Sequence, residues 1–138
     1  MTRQDAIDFI SVGSRTGKLA TASPTGVPHV APIWFLIDGE DLVFTTGEDT
    51  VKGRNLRANP RAALTVDVSE YPYDFVVVRG TVSLDGRAPD LLDWATRLAE
   101  RYVPARRARE YGERNAVEGE LLCRLRMERV SGALDIAL

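Results

Sequence analysis

Cysteine and histidine are almost absent from this chain of 138 residues, which contains one of each. A single cysteine, Cys123, cannot form an internal disulfide, and one cysteine with one histidine cannot supply the usual zinc cages. A catalytic thiol–imidazole pair would require Cys123 to meet His29 in space, and no local motif supports that pairing. The sequence therefore offers neither a metal site nor a nucleophile–base pair.

An excess of one charge and a long hydrophobic run are lacking as well. Lys and Arg number 18 against 20 Asp and Glu, for a net charge of −2, which argues against a dedicated nucleic-acid binder or a polybasic membrane-surface protein. No apolar stretch approaches the ~18 residues of a membrane-spanning helix, and residues 1–5 lack the apolar run of a signal peptide. We expect one domain over residues 1–138, located in the cytoplasm, with no nucleic-acid or membrane partner.

The pattern of apolar residues predicts an α+β protein that is mainly β, with six antiparallel strands and flanking helices. Strands are expected over residues 17–21, 28–37, 42–46, 61–68, 75–84 and 120–130. Helices are expected after a Thr2 cap, over residues 49–58, from Pro89 onwards, and again before the last strand. Six strands in so short a chain favour closure into a small split barrel, because closure removes exposed strand edges.

Glycines mark three irregular points in this pattern. Asp38-Gly39 is a hairpin signal that joins the second and third predicted strands. Gly80 interrupts a valine-rich strand, which indicates a bulge or a bend. The segment 13–19 looks like a phosphate loop, but it is one residue short, lacks the hydroxyl residue after its lysine and leads into a strand instead of a helix. We interpret that segment as a helix end followed by a turn.

The first candidate ligand site is the segment 45–55, which runs from a strand end through a hydroxyl- and glycine-rich turn into a helix. Free amides at the helix start, the hydroxyls of Thr45 and Thr46, and two nearby cations suit a phosphate group. Lys52 and Arg54 are two residues apart and do not share a helix face, so only one of them is expected to contact that anion. A solvated basic helix is the alternative interpretation.

The second candidate is the stretch 28–35. Its two prolines remove two ladder donors, which places Pro32 at an edge, at a bulge or beside a cavity. Backbone exposed to a cavity can hydrogen-bond a flat heteroaromatic ring, with Trp34 and Phe35 as walls, although aromatic residues in strands more often belong to the core. His29 is a candidate acid or ligand contact, against the commoner structural role of a lone strand histidine.

Two further features lie in the last third of the chain. The basic run over residues 106–114 is either a solvated face, the commoner case, or a clamp on an acidic ligand tail. Cys123 lies in an alternating apolar strand and is expected to be a small buried hydrophobic residue.

Taken together, these segments resemble the pyridoxamine 5′-phosphate oxidase-like split-barrel superfamily, and within it the short deazaflavin-dependent reductases. The resemblance runs from about residue 15 to residue 85, and the last third matches only as a helix followed by a strand. The segments that carry it are Gly-Lys-Leu-Ala-Thr (17–21), Gly-Val-Pro-His-Val-Ala-Pro-Ile-Trp-Phe (26–35), Leu-Val-Phe-Thr-Thr (42–46), Lys-Gly-Arg-Asn-Leu (52–56), Asn-Pro-Arg-Ala-Ala-Leu (59–64) and Gly80 in its strand.

The resemblance implies a homodimer of split barrels with a cofactor at the dimer interface. The cofactor is FMN in some members and the deazaflavin coenzyme F420 in many actinobacterial ones. By the same resemblance Lys52 holds the cofactor phosphate, and Thr50 stands where some members of the deazaflavin group carry an arginine. The other implied cofactor-binding residues are Thr45, Thr46, Arg54 and Asn55 near the phosphate, and His29, Val30, Ala31, Pro32 and Trp34 along the ring system.

The activity implied is hydride transfer from reduced F420 to an unsaturated organic substrate, with the cofactor carrying the chemistry. His29, Tyr73 and bulk water are the candidate proton donors. The acidic tail of F420, which FMN lacks, is a candidate partner for the arginines in residues 106–114. The alternatives are an FMN-dependent oxidase or reductase and a non-catalytic flavin- or haem-binding split barrel. The chain lacks the Arg-Leu-Ala-Pro-like ending of pyridoxamine phosphate oxidases, so we do not expect that particular activity.

Overall fold

A computed structural model describes residues 1–133, which form four α-helices and seven β-strands. The helices are α1 (Arg3–Ile10), α2 (Val51–Ala58), α3 (Leu91–Tyr102) and α4 (Ala108–Asn115), with a 3₁₀ turn over Ala105–Arg107. The strands are β1 (Gly17–Ala22), β2 (Pro28–Ile33), β3 (Leu36–Asp38), β4 (Asp41–Gly47), β5 (Arg61–Asp67), β6 (Phe75–Asp85) and β7 (Glu120–Ala133). The mainly β, α+β class is confirmed. The last five residues of the predicted domain, and with them the chain ending that differs from pyridoxamine phosphate oxidases, lie outside the described residues.

Local sequence signals set several of these boundaries. Thr2 and Asp5 form a capping box at the start of α1: the Asp5 amide donates to the Thr2 hydroxyl over 3.0 Å, and the Asp5 carboxylate accepts from the Thr2 amide over 2.8 Å. These hydrogen bonds lower the pKa of Asp5. The predicted hairpin at Asp38-Gly39 is confirmed as the turn between β3 and β4, with Gly39 at a positive φ of 59°. No helix in residues 1–133 is long and apolar enough to cross a lipid bilayer.

All seven strands belong to one antiparallel sheet with the order β2-β1-β5-β6-β7-β4-β3. Laid flat at about 4.8 Å per strand, the two edge strands would lie roughly 29 Å apart. However, β2 and β3 are consecutive in the chain, and the two residues between them span at most about 11 Å. The sheet must therefore roll up until its edges approach each other, and because those edges share no ladder the barrel stays split.

The predicted strand over residues 28–37 is wrong as a single element, and this raises the strand count from six to seven. Trp34 and Phe35 leave the sheet between β2 and β3, and side chains of α3 replace the ladder there. The Phe35 amide donates to the hydroxyl of Tyr102 over 3.2 Å, and the Phe35 carbonyl accepts from the guanidinium of Arg101 over 2.8 Å. With its backbone groups satisfied in this way, the chain can cross the split from one sheet edge to the other.

The irregularity predicted at Gly80 is confirmed as a bulge between β6 and β7. Arg79 pairs with Arg129 and Gly80 pairs with Met127, so Glu128 has no partner across the ladder. A Cβ atom at position 80 would collide with the backbone carbonyl oxygen of Arg126. Only glycine fits at this close approach.

Hydrophobic side chains pack on both faces of the sheet. The larger core fills the inside of the roll, where Phe44 of β4 meets Leu56 of α2. A second cluster lies on the opposite face, where Val43 of β4 packs against Trp94 of α3. Cys123 is completely buried in the larger core, and burial raises the pKa of its thiol to about 12. This confirms its predicted role as a small hydrophobic residue.

Candidate cofactor cleft

A cavity of about 290 Å³ opens where the barrel is split, and we call it the split cleft. Six elements and the β2–β3 crossover contribute to its walls. The lining residues are Pro32, Ile33, Trp34, Thr45, Lys52, Ala95, Leu98, Asn115 and Glu120. The site therefore draws on both the N-terminal segments that carried the sequence motifs and the last third of the chain.

Strand alternation decides which of the two neighbouring threonines faces the split cleft. Successive side chains on β4 point to opposite faces, so Thr45 lies on the α3 side with Val43, and Thr46 points into the core with Phe44. Thr45 lines the cleft, whereas Thr46 is buried. Two hydroxyls beside one phosphate, as the resemblance implied, are therefore not both available within this protomer.

The polar side chains of the cleft are one cation, one carboxylate, one hydroxyl and one amide. Lys52 reaches the cleft from α2, and among residues 1–133 it makes no ion pair within 4.0 Å and no side-chain hydrogen bond. Glu120 enters from the first position of β7. Burial raises the pKa of Glu120, although the Thr45 hydroxyl and the charge of Lys52 act in the opposite direction. An ammonium with no close partner is the group of this cleft best suited to an anionic ligand.

Trp34 forms a fixed aromatic wall of the cleft. Its ring stacks on Tyr102 at a centroid distance of 5.2 Å and an interplanar angle of 7°, and it meets Tyr111 of α4 at 6.2 Å. The Tyr102 hydroxyl is itself anchored by donating to the Arg15 carbonyl over 2.9 Å. Together with the apolar side chains of α3, this wall suits one face of a flat ring.

The start of α2 is organised around its own cap. The Thr50 hydroxyl donates to the Gly47 carbonyl over 2.8 Å and accepts from the Gly53 amide over 3.0 Å. Because its proton is committed, the 3.0 Å contact between the Thr46 and Thr50 hydroxyls has Thr46 as the donor. The hydroxyls of Thr46 and Thr50 are thus satisfied by internal hydrogen bonds. The same holds for the Gly53 amide, one of the helix-start amides expected to bind a phosphate.

An acidic hollow lies beside this helix start and is separate from the lysine side of the cleft. It is lined by residues 47–50 and 117–120, which include the carboxylates of Glu48, Asp49, Glu118 and Glu120. Four carboxylates around a helix start oppose the binding of an anion there. Any anion is therefore better placed on the cleft side, against Lys52.

The remaining residues of the phosphate motif point away from the cleft. Arg54 is exposed and donates to the Asp49 carbonyl over 3.0 Å, so it does not share the position of Lys52. Asn55 is buried and donates to the Thr21 hydroxyl over 3.1 Å, which ties α2 to β1. The expectation that only one of the two cations faces the cleft agrees with this geometry.

The residues of β2 divide between the two faces of the sheet. Pro32 lines the cleft, and Val30 points outward with 67% of its surface exposed. His29 and Ala31 face the other way; His29 is half-buried opposite Thr21, and its Nδ1 has no hydrogen-bond partner among residues 1–133. Neither lines the cleft.

Tyr73, the other candidate proton donor, lies outside the cleft. It sits in the loop before β6 with a positive φ of 68°, packs edge-on against Tyr71, and borders a different hollow on β5.

Three of the four arginines in residues 106–114 pair with the two glutamates of the same segment. Arg107 and Arg114 both pair with Glu110, at 3.1 and 3.5 Å, and Arg109 pairs with Glu113 at 2.9 Å. Such pairs are characteristic of a solvated helix face. The two glutamates reduce the positive field available for an acidic ligand tail, and an excess of two arginines remains.

Sequence reasoning missed Glu120 and Asn115, the two polar cleft residues from the last third of the chain. Glu120 was visible as the polar start of a predicted strand. Its role depends on the pairing of β7 with β4, which sets Glu120 opposite Gly47. The pairing of strands so distant in sequence has no local signal.

A rolled, open antiparallel sheet with a mixed polar and aromatic cleft at its split defines a split-barrel protein. The family model described as pyridoxamine 5′-phosphate oxidase matches residues 4–131. The chain belongs to this family.

Solved structures agree with that assignment. An F420 reductase is 30% identical, with coverage of 90% of this chain and 94% of the other and a TM-score of 0.68. The conserved hypothetical protein Rv2991 of Mycobacterium tuberculosis is 22% identical, with coverage of 96% and 84% and a TM-score of 0.78. The haem storage protein HutZ of Vibrio cholerae is 17% identical, with full coverage of both chains and a TM-score of 0.76. The last two show a shared fold alone.

The side chains of the split cleft fit a ligand that combines a flat ring with one negative charge. Trp34 and the apolar side chains of α3 suit the ring, and Lys52 with Thr45 suits the anion. The volume of about 290 Å³ is at the low end for small-molecule sites. A cavity of this volume has room for only part of a flavin-sized molecule.

Proposed function

We propose that this protein is a reductase that uses the deazaflavin coenzyme F420 to reduce an unsaturated organic substrate. The supporting observation is the F420 reductase that is 30% identical over 90% of this chain, considered with the Lys52 ammonium, which lines the split cleft and has no ion-pair partner within residues 1–133. When bound, the deazaflavin supplies the hydride.

Each part of the cleft has a role in this proposal. Lys52 binds the cofactor phosphate through a charge-assisted hydrogen bond, and the Thr45 side chain lies in the same cleft wall. Trp34 stacks against the ring system and fixes its orientation. Ala95 and Leu98 exclude water from the ring. His29 and Tyr73 do not line the cleft of this protomer, so we assign the proton to bulk water, the third candidate.

We also propose that the protein acts as a homodimer, paired through the outer face of β2, β1, β5 and β6. Val30 of the edge strand β2 and its neighbour Ala20 of β1 are exposed on this face, and so are Arg61 and Arg79 of β5 and β6. A sheet face with small apolar residues inside a charged border is typical of a protein–protein contact. An isologous contact would use the same patch on both copies.

Parallel titrations of the purified protein with F420, FMN and haemin test the proposed cofactor. We expect F420 to bind at least about tenfold more tightly than FMN, and the protein to cause no shift in the Soret band of added haemin. Equal affinity for both, or FMN retained through purification, would favour the FMN-dependent alternative. A Soret band that shifts when the protein is added would favour a haem-binding split barrel. Because most of the arginines in residues 106–114 are paired, the preference for F420 should shrink only slightly as salt rises.

A further inference from the structure

Lys52 and Glu120 line the same cleft, and their charges cancel. Within the described residues no other lysine, arginine or acidic side chain borders the split cleft. Glu120 is held there by the register of β7 against β4, which sets its backbone opposite Gly47, and it is half-buried. The carboxylates of Glu48, Asp49 and Glu118 line the neighbouring acidic hollow and do not border the split cleft.

We propose that Glu120 weakens the binding of a doubly charged phosphomonoester in the split cleft more than that of a singly charged phosphodiester, and so shifts the selectivity of the cleft towards the diester. The proposal rests on the proposed function, because it takes Lys52 as the cation that binds the cofactor phosphate. Beyond that function, it specifies the charge of the preferred phosphate group and names Glu120 as the residue that selects for it.

The physical basis is the Coulomb interaction in a partly desolvated cleft. A single ammonium balances one negative charge, and Glu120 repels each charge on the ligand. A doubly charged monoester therefore experiences twice the repulsion of a singly charged diester at the same position. The phosphate of F420 is a diester and that of FMN is a monoester, so at the phosphate position Glu120 repels FMN more strongly than F420.

Two flavin probes isolate this effect from differences in ring or tail. FMN carries the monoester, and riboflavin 4′,5′-cyclic phosphate carries the same ring with a cyclic diester. At pH 8 the monoester is doubly ionised. Quenching of flavin fluorescence then measures both dissociation constants for the wild-type protein and for Glu120→Gln, which keeps the shape of the side chain and removes its charge.

Both probes should gain affinity in Glu120→Gln, and the gain for FMN should be about the square of the gain for the diester, for example about ninefold against threefold. Glu118→Gln, which removes an exposed carboxylate from the same turn without touching the cleft, should leave the ratio unchanged.

Equal gains in affinity for the two probes in Glu120→Gln, or no gain for either, would overturn the proposal. A change of the same size in Glu118→Gln would also overturn it. So would a failure of both the wild-type protein and the variant to bind either probe. Circular dichroism and thermal melting confirm that the variants are folded. Failure of F420 to bind the wild-type protein, with the flavin pattern as expected, would overturn the proposed function and leave the selection by Glu120 standing. If F420 binds but Glu120→Gln leaves the ratio of the two flavin dissociation constants unchanged, the selection by Glu120 is overturned and the proposed function stands.

Discussion

Lys52 is one of two lysines in the chain, and the two differ sharply in their surroundings. Lys18 lies in an ion pair with Asp67 at 2.9 Å on the sheet, away from the split cleft. Lys52 has no such partner among residues 1–133 and faces the cleft. A lysine without a partner in a cavity contributes little to folding and is available to a ligand.

Lys52→Ala should therefore weaken F420 binding without unfolding the protein. Loss of a charge-assisted contact to phosphate costs about 1.5–3 kcal/mol, so the affinity should fall by roughly tenfold to a hundredfold. Quenching of deazaflavin fluorescence measures the affinity, and the midpoint of thermal unfolding without cofactor should hardly move. Lys18→Ala is the matched control. An affinity unchanged in Lys52→Ala would remove this residue from the site.

Glu120 makes the stability of the protein dependent on pH. Its pKa in the folded state is raised above the usual 4.5 by burial, so the folded protein disfavours the ionised form. The stability of the wild-type protein therefore declines as pH rises from 4.5 through the folded-state pKa and stays reduced above it.

Glu120→Gln should remove this dependence. Allowing for solvent around a half-exposed group, we expect the variant to be more stable at pH 8 by about 0.5 kcal/mol, or roughly 2 °C in melting midpoint. At pH 4, where both side chains are neutral, the two midpoints should converge. Melting curves at the two pH values measure this, with Glu118→Gln as the control. A variant less stable than wild type at pH 8 would show that the carboxylate stabilises the fold instead.

At the scale of elements, the bulge between β6 and β7 is the point where the sheet cannot accept a larger side chain. Gly80→Ala should destabilise the protein by at least about 2 kcal/mol, because the added methyl group meets the Arg126 carbonyl on rigid backbone. Chemical denaturation measures the loss. In Gly86→Ala the new Cβ meets only the end of the Leu121 side chain, at 3.3 Å, so a loss below about 1 kcal/mol is expected. Equal losses in the two variants would argue against the close approach at the bulge.

The β2–β3 crossover shows how one element depends on another. The apolar sequence continues without a break from residue 28 to residue 37, and this pattern by itself predicts one long strand. Arg101 and Tyr102 offer side-chain partners to the backbone of Phe35, and Tyr102 offers a stacking surface to Trp34. These contacts convert a strand interior into a bridge across the split, and they place Trp34 in the cleft wall.

At the scale of the whole molecule, the outer face of the sheet carries the prediction on assembly. The proposed homodimer should give twice the 15.2 kDa chain mass in light scattering at micromolar concentration. Val30→Asp places a charge on an exposed apolar position of that face and should shift the protein to the monomer mass. Val12→Asp alters a valine that is 51% exposed near the end of α1 and should leave the dimer intact. A wild-type protein that is monomeric would contradict the proposed assembly.

Local chemistry was sufficient for most of the elements. The capping pair Thr2 and Asp5, the Asp-Gly hairpin and the alternating strands depend on neighbours a few residues apart, and the sequence determined them closely. The irregular strand position at Gly80 was also predictable, because a glycine inside a valine-rich strand usually marks a bulge or a close approach of another backbone. Lys52 was identified from its motif, and the fold brings it to a cavity.

Tertiary structure decided the composition of the cleft. Strand alternation relative to the core placed Thr45 in the cleft and Thr46 in the interior, and a one-residue shift would have exchanged them. The pairing of β7 with β4 brought Glu120 to the cleft that Lys52 faces, although the two residues are far apart in the sequence. Periodicity in a sequence reports the local conformation and the face of each residue, but the partner of a strand depends on how all the strands pack together. The sequence by itself determined the elements and the cation, whereas only the rolled sheet decided which carboxylate that cation faces.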